Sequence, residues 1–241
     1  ILEQIADEIL SSLDLCRANL LYSGGGGFYM LLPNTKKSAE TLVRAENKVN
    51  EWLYDQFSIR LYLAIGWAPA SANHFMDPDK VQYSGTKEIF LAVSQMVSAK
   101  KTRRYQGMNL EKLFTPEIPQ DGARECSVCG CSKKLSEVQS PDPEEEAILM
   151  CESCRGLMEL GRILARSAGY GNSDVRNVFC VERKRPSGSL ILRLPALEGD
   201  AWLSVRSEDS LRDQRERSDS QIIRVYSKNR RSTGLDVATH I

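Results

Sequence analysis

The chain has 241 residues, of which 41% are apolar and 27% charged, a globular composition that excludes disorder throughout. Its 32 Lys and Arg are matched by 32 Asp and Glu, so no global field draws it to nucleic acid or an anionic surface, and any such binding must be local. No run reaches the roughly 18 apolar residues of a membrane span, and the opening "ILEQIADEIL" has neither the basic nor the apolar region of a signal peptide, so a cytoplasmic protein with no membrane partner is expected.

In chain order, Ile1, Ile5, Ile9 and Leu13 recur every fourth residue and predict an amphipathic helix. "RANLLYS" and "FYMLLP" then flank "GGGG" as two strands of a hairpin closed by Pro33, which has no N–H to give a ladder. From Thr35 the period becomes helical, with Leu42, Ala45, Val49, Trp52 or Leu53, and Phe57 on one face. "SIRLYLAIGWAP" is apolar on both alternating faces and reads as an internal strand, with Ile59, Leu61, Leu63 and Ile65 on one side and Tyr62 and Ala64 on the other. A loop from Ala68 to about Tyr83 leads to a helix over "GTKEIFLAVSQMVSAKKTRRY", with Ile89, Val93, Met96 and Val97 inward and a basic C-terminal end. The order α-β-β-α-β-α is most of a ferredoxin-like palm, an α+β fold, missing its first strand. That gap, together with a start lacking Met and an end at "TGLDVATHI", predicts a piece of a longer protein.

The palm reading covers residues 1–114, and the Pro- and Gly-containing residues 115–125 read as a linker. Of seven cysteines, five fall between positions 126 and 154, a spacing that suggests metal rather than disulfides. Cys126-x2-Cys129 and Cys151-x2-Cys154 each aim two sulfurs at one point and together supply the four thiolates of a tetrahedral structural zinc. Cys131 is the spare, because one ion needs only one of Cys129 and Cys131 and the symmetry of two CxxC pairs favours Cys129. Cys16 and Cys180 read as core packing. With four protein ligands such an ion keeps no open position for water, and its role is to staple a thin module, residues 126–172. Leu157, Leu160 and Leu164 mark a helix behind the second knuckle, ending at Gly169. Residues 173–241 read as β-rich, from the runs "NVFCVE", "SLILRLPAL", "AWLSV" and "QIIRVYS".

An ordinary hairpin needs only one or two residues able to take positive φ, so four glycines are more than turning the chain requires. In palm-type nucleotidyltransferases and cyclases a hairpin of this form carries adjacent carboxylates that hold the ions bridging a triphosphate. "YSGGGGF" resembles the palm hairpin "YSGGDDF", with Gly26 and Gly27 standing where the two aspartates would be.

With "IRLYLAIGWAPAS", "AKKTRRY" and the double CxxC, the chain as a whole resembles the large signature subunit of type III CRISPR antiviral effector complexes, closest to the subtype A, Csm-type form. The resemblance covers only the first palm and the zinc-containing linker domain. It implies a non-catalytic palm that meets a second, catalytic palm of the same full-length chain and binds ATP, with magnesium held only through that partner, for cyclic oligoadenylate synthesis. It further implies the other effector subunits, guide RNA and target RNA as partners. Ser23, Gly24, Gly25, Gly26, Gly27 and Lys100 are then the candidate ATP-binding residues, the glycines through close approach of bare backbone and Lys100 through phosphate. No catalytic residue is expected here: the parent subunit's synthase and HD nuclease residues have no counterpart in this sequence, whose two histidines, His74 and His240, stand in no His-Asp dipeptide.

Two other readings compete. An autonomous nucleotide cyclase is opposed by the missing carboxylates, and a zinc-ribbon nucleic-acid adaptor by the neutral charge and by a cysteine loop poor in aromatics. The basic stretches at 183–186, 212–217 and 228–231 read as solvated loops or local phosphate contacts.

Overall fold

The computed structural model describes residues 1–75, 84–106, 110–114, 124–139, 147–166, 177–186, 191–207 and 222–226. The basic stretches at 212–217 and 228–231, His240 and Gly169 lie outside these residues. The chain divides into two compact units: Ile1–Leu113 joined by Pro195–Glu198, and Phe114–Leu194 joined by Gly199–Ile241.

In the first unit, helix α1 (Leu2–Ser12) buries Ile5 and Ile9 against helix α2 (Lys36–Phe57), whose Leu42, Ala45, Val49 and Leu53 form the facing stripe. Ile1 instead stays outside, 45% exposed. Thr35 caps α2 by accepting from the Ser38 N–H at 3.2 Å. Strands β1 (Leu20–Gly24) and β2 (Gly27–Met30) pair antiparallel, with a register shift between Leu20 and Tyr22 and with Tyr22 directly opposite Tyr29, so that the two share a face. Phe28, Met30 and Leu32 face the helical core. A short α3 (Ala72–Phe75), α4 (Ser84–Thr102) and α5 (Leu110–Phe114) follow.

The fold is mixed α and β, but the internal strand expected over 58–69 does not form. Ser58–Arg60 is a 3-10 turn, and the next residues run extended beside α2 without a ladder partner among the described residues. Side chains replace the neighbouring strand. The Asn50 amide bonds both backbone groups of Leu63, at 2.7 and 2.8 Å, Glu46 accepts the Ile65 N–H at 2.9 Å, and Lys100 donates to the Ile65 carbonyl at 2.8 Å. Leu63, Ile65 and Trp67 reach the core while Ile59 and Leu61 remain exposed. Gly66 gives α4 its seat, since a Cβ there would lie 2.7 Å from the Val93 carbonyl oxygen.

Pro195–Glu198 completes this unit, although "SLILRLPAL" reads as one β run. Leu197 is 1% exposed within the α1–α2 core, and its N–H donates to the Glu8 carboxylate at 3.0 Å. Gln4 bonds Glu8 and the Pro195 carbonyl, so the buried polar groups of α1 meet main chain that arrives from far along the sequence.

In the second unit a hairpin of β3 (Leu135–Val138) and β4 (Ile148–Cys151) leads into α6 (Glu152–Arg166). A four-stranded antiparallel sheet is built from β5 (Asn177–Glu182), β6 (Ile191–Leu194), β7 (Ala201–Ser207) and β8 (Ile222–Tyr226) in the order β6-β7-β5-β8. Leu157 points outward on α6, because the helix turns Gly156 to the sheet at Leu192 and Met158 to the cysteine cluster. On the sheet, Glu182 is buried and fully matched, by the Ser204 hydroxyl and by Arg206 with both carboxylate oxygens at 2.8 Å.

Leu197→Ala is expected to lower the stability of the first unit by about 2–4 kcal/mol, the usual cost of emptying a buried leucine site. Urea unfolding followed by tryptophan fluorescence checks this, and a change below about 0.5 kcal/mol would remove the segment from the core.

Candidate metal centre and hairpin tip

The two cysteine knuckles form by local chain chemistry. Gly130, at φ 65°, lets the chain turn back so that its N–H reaches the Cys126 carbonyl at 2.8 Å. The second knuckle places Cys151 at the end of β4 and Cys154 in the first turn of α6, with the Cys154 N–H 3.5 Å from the Cys151 sulfur. All four Sγ atoms of Cys126, Cys129, Cys151 and Cys154 lie within 4.8 Å of one another, and Cys129 and Cys151 are 3.6 Å apart. Thiolates at about 2.3 Å from a tetrahedral ion stand roughly 3.8 Å apart, so this set fits zinc. Cys131 is turned into its own loop, where its sulfur takes the Lys133 N–H at 3.3 Å.

Burial opposes ionisation at Cys126, but backbone N–H groups of Cys151, Cys129 and Val128 together outweigh it and draw the thiol down to about 6. Burial first, and then the crowding of neighbouring sulfurs, pushes Cys151 up to about 11 and Cys154 higher still. Four adjacent thiolates need a positive ion at their centre.

At the hairpin tip, Gly24 pairs with Gly27 and the loop itself is Gly25 and Gly26, at φ 59° and 83°. Two positive φ values are what a two-residue hairpin turn requires, so the turn accounts for those two glycines. A Cβ on Gly24 would meet the Tyr22 hydroxyl at 2.8 Å. Gly27 alone has neither a positive φ nor any atom within 4 Å of a built Cβ. Ser23, cross-strand from Phe28, turns to α1 and donates to Glu3 at 2.5 Å, and Arg17 holds Glu3 and Asp7 at 2.5 and 2.8 Å. Burial raises the Glu3 carboxyl, but the bonds from Ser23 and Arg17 hold it below its ordinary range. Lys100 is engaged elsewhere: its ammonium bonds Glu46 at 2.5 Å and lies 4.8 Å over the Trp67 ring. The polar residues Glu46 and Asn50, interleaved one turn apart among buried apolar positions of α2, are the signal that could have exposed this arrangement in the sequence.

Residues 1–119 match the family described as Csm1 subunit domain B. The chain belongs to the Csm1 family. Among curated relatives, the CRISPR system single-strand-specific deoxyribonuclease Cas10/Csm1 (subtype III-A) of Enterococcus italicus is 30% identical across 100% of this chain and 27% of its own length. The protein of the same description from Mycobacterium tuberculosis is 36% identical over 64% of this chain and 19% of its own length. The chain thus spans between about a fifth and a quarter of these Csm1 relatives. A crystal structure of a Csm1–Csm4 cassette in complex with pppApApA is 24% identical over 61% of this chain and 19% of that chain, with a TM-score of 0.41. No helix among the described residues is long and apolar enough to cross a membrane.

Two outcomes follow for this Csm1 segment. Purified chain should hold zinc at a stoichiometry near unity by elemental analysis, and strong chelators or Cys151→Ser should unfold the β3–β4–α6 module in circular dichroism melts. At the tip, Gly27→Asp should leave stability within about 0.5 kcal/mol. Gly26→Asp should cost about 1 kcal/mol, because φ 83° is foreign to a side chain.

Proposed function

We propose that this Csm1 segment is a non-catalytic palm with a structural zinc linker, and that it pairs with a catalytic palm to bind ATP for cyclic oligoadenylate synthesis. The observation that supports this reading is the composition of the hairpin tip. Two-metal phosphoryl transfer needs carboxylates to bridge ions to the triphosphate, and Gly24–Gly27 supply none. Glu3, bonded to Ser23 beside the tip, is already matched by Arg17. Magnesium is therefore assigned to the partner palm.

What the tip offers instead is main chain. Open space around Gly26 and Gly27 lets a nucleotide approach the backbone N–H groups, which favour an anion. Of the proposed ATP contacts, the glycines best match the geometry. Ser23 faces α1, and Lys100 would first have to leave Glu46. Zinc, held by Cys126, Cys129, Cys151 and Cys154, supplies a fixed cross-link and no reacting group. The other effector subunits, guide RNA and target RNA are the partners proposed for the full-length protein, and its deoxyribonuclease activity is assigned to no residue of this segment.

Purified chain incubated with ATP and magnesium is expected to make no oligoadenylate, and product resolved by chromatography would overturn the non-catalytic reading. In the full-length subunit, Gly27→Val should reduce cyclic oligoadenylate synthesis about tenfold or more, the order that a misplacement of about 1 Å costs. Single-stranded DNA cleavage should stay unchanged, and undiminished synthesis would remove the tip from the ATP site.

A further inference from the structure

One carboxylate meets β1 at both of its ends. Ser23, the last side chain before the glycines, donates its hydroxyl to one oxygen of Glu3 at 2.5 Å, the length of a hydroxyl bond to an ionised carboxylate. The other oxygen takes the Arg17 guanidinium at 2.5 Å, and Arg17 lies in the 3-10 turn Arg17–Asn19 that leads straight into β1. A second nitrogen of Arg17 reaches Asp7, one turn further along α1, at 2.8 Å. These four side chains form a continuous polar tie from α1 to the start and the end of the strand that carries the tip.

The helix side of the tie is fixed. Ile5 and Ile9 seat α1 in the core, while Gln4 and Glu8 bond the main chain of Pro195 and Leu197. The strand side is not fixed in that way. Phe28 and Met30 of β2 pack on the helical core, but no side chain of β1 belongs to that cluster, and a two-stranded hairpin is marginal by itself. A helix dipole accounts for an acid in the first turn of α1, and an ion pair as exposed as that of Glu3 adds little stability. Neither accounts for a single carboxylate that joins the turn entering β1 to the residue beside Gly24.

We propose that Glu3 is the positioning residue of the glycine tip, acting through Ser23 and itself held by Arg17. Ser23 then serves ATP by fixing where Gly24–Gly27 stand, and not by touching the nucleotide. The assignment to ATP rests on the function proposed above, whereas the tie from α1 to β1 does not.

Two readouts test it. In the 241-residue chain, 15N relaxation of the Gly24–Gly27 amides should give order parameters of about 0.85, falling below about 0.6 in Ser23→Ala and in Glu3→Ala and recovering in Ser23→Thr, which keeps the hydroxyl. Thermal melts should move by no more than about 3 °C, which separates a loosened tip from a damaged fold. In the full-length subunit, each alanine variant should lower cyclic oligoadenylate synthesis at limiting ATP about tenfold, and the double variant should lose no more than either single one. Unchanged tip order in either alanine variant overturns the proposal. So does a loss of synthesis in Ser23→Ala that Glu3→Ala does not share, or a double variant whose losses multiply, because each would make Ser23 a direct contact of the nucleotide. A loosened tip with undiminished synthesis would uphold the tie and overturn the ATP reading instead.

Discussion

One buried carboxylate organises the first unit. Glu46 is 8% exposed on α2 and takes both the Ile65 N–H and the Lys100 ammonium. Asn50, one turn further on, satisfies Leu63 in the manner of an adjacent strand. Backbone polar groups in a half-buried extended segment must find partners, and these side chains are the partners found. The same anchor ties α4 to α2 through Lys100, and so sets where Tyr62 and Tyr105 meet and where Gly66 is overlaid by Val93 and Val97.

The two candidate centres differ in how they treat charge. The cysteine cluster gathers four thiols in a set that fits a cation, whereas the hairpin tip carries no acidic group and offers an anion only main-chain dipoles. On the proposed reading, chemistry is left to a partner, and this segment contributes shape and positioning.

Local patterns are legible wherever local physics decides them. The four-residue spacing of Ile5 and Ile9 and the stripe from Leu42 to Leu53 announce α1 and α2, and short apolar runs announce β5 to β8. Two CxxC pairs announce the cysteine cluster by their spacing alone. Alternation over 58–69 misleads because an apolar extended segment is compatible with a ladder but does not create one, and its actual partners are Glu46, Asn50 and Lys100 from two helices. Leu157 departs from its expected inward face because α6 turns Gly156, one of its two glycines, toward the sheet, and periodicity alone cannot show which edge of an apolar stripe faces inward. Gly25 and Gly26 answer to the turn itself, which narrows the unexplained excess of glycine to Gly27.

Glu8 and Leu197 are separated by 189 positions in the sequence. During synthesis at about 5–20 residues per second, α1 and α2 would leave the ribosome on the order of ten seconds or more before the segment that closes their core. In that interval the pocket for Leu197 is an open greasy notch on the nascent chain, lined by the buried carboxylate of Glu8 without its eventual amide donor. Vectorial folding of this region is therefore incomplete until the segment carrying Leu197 has been translated.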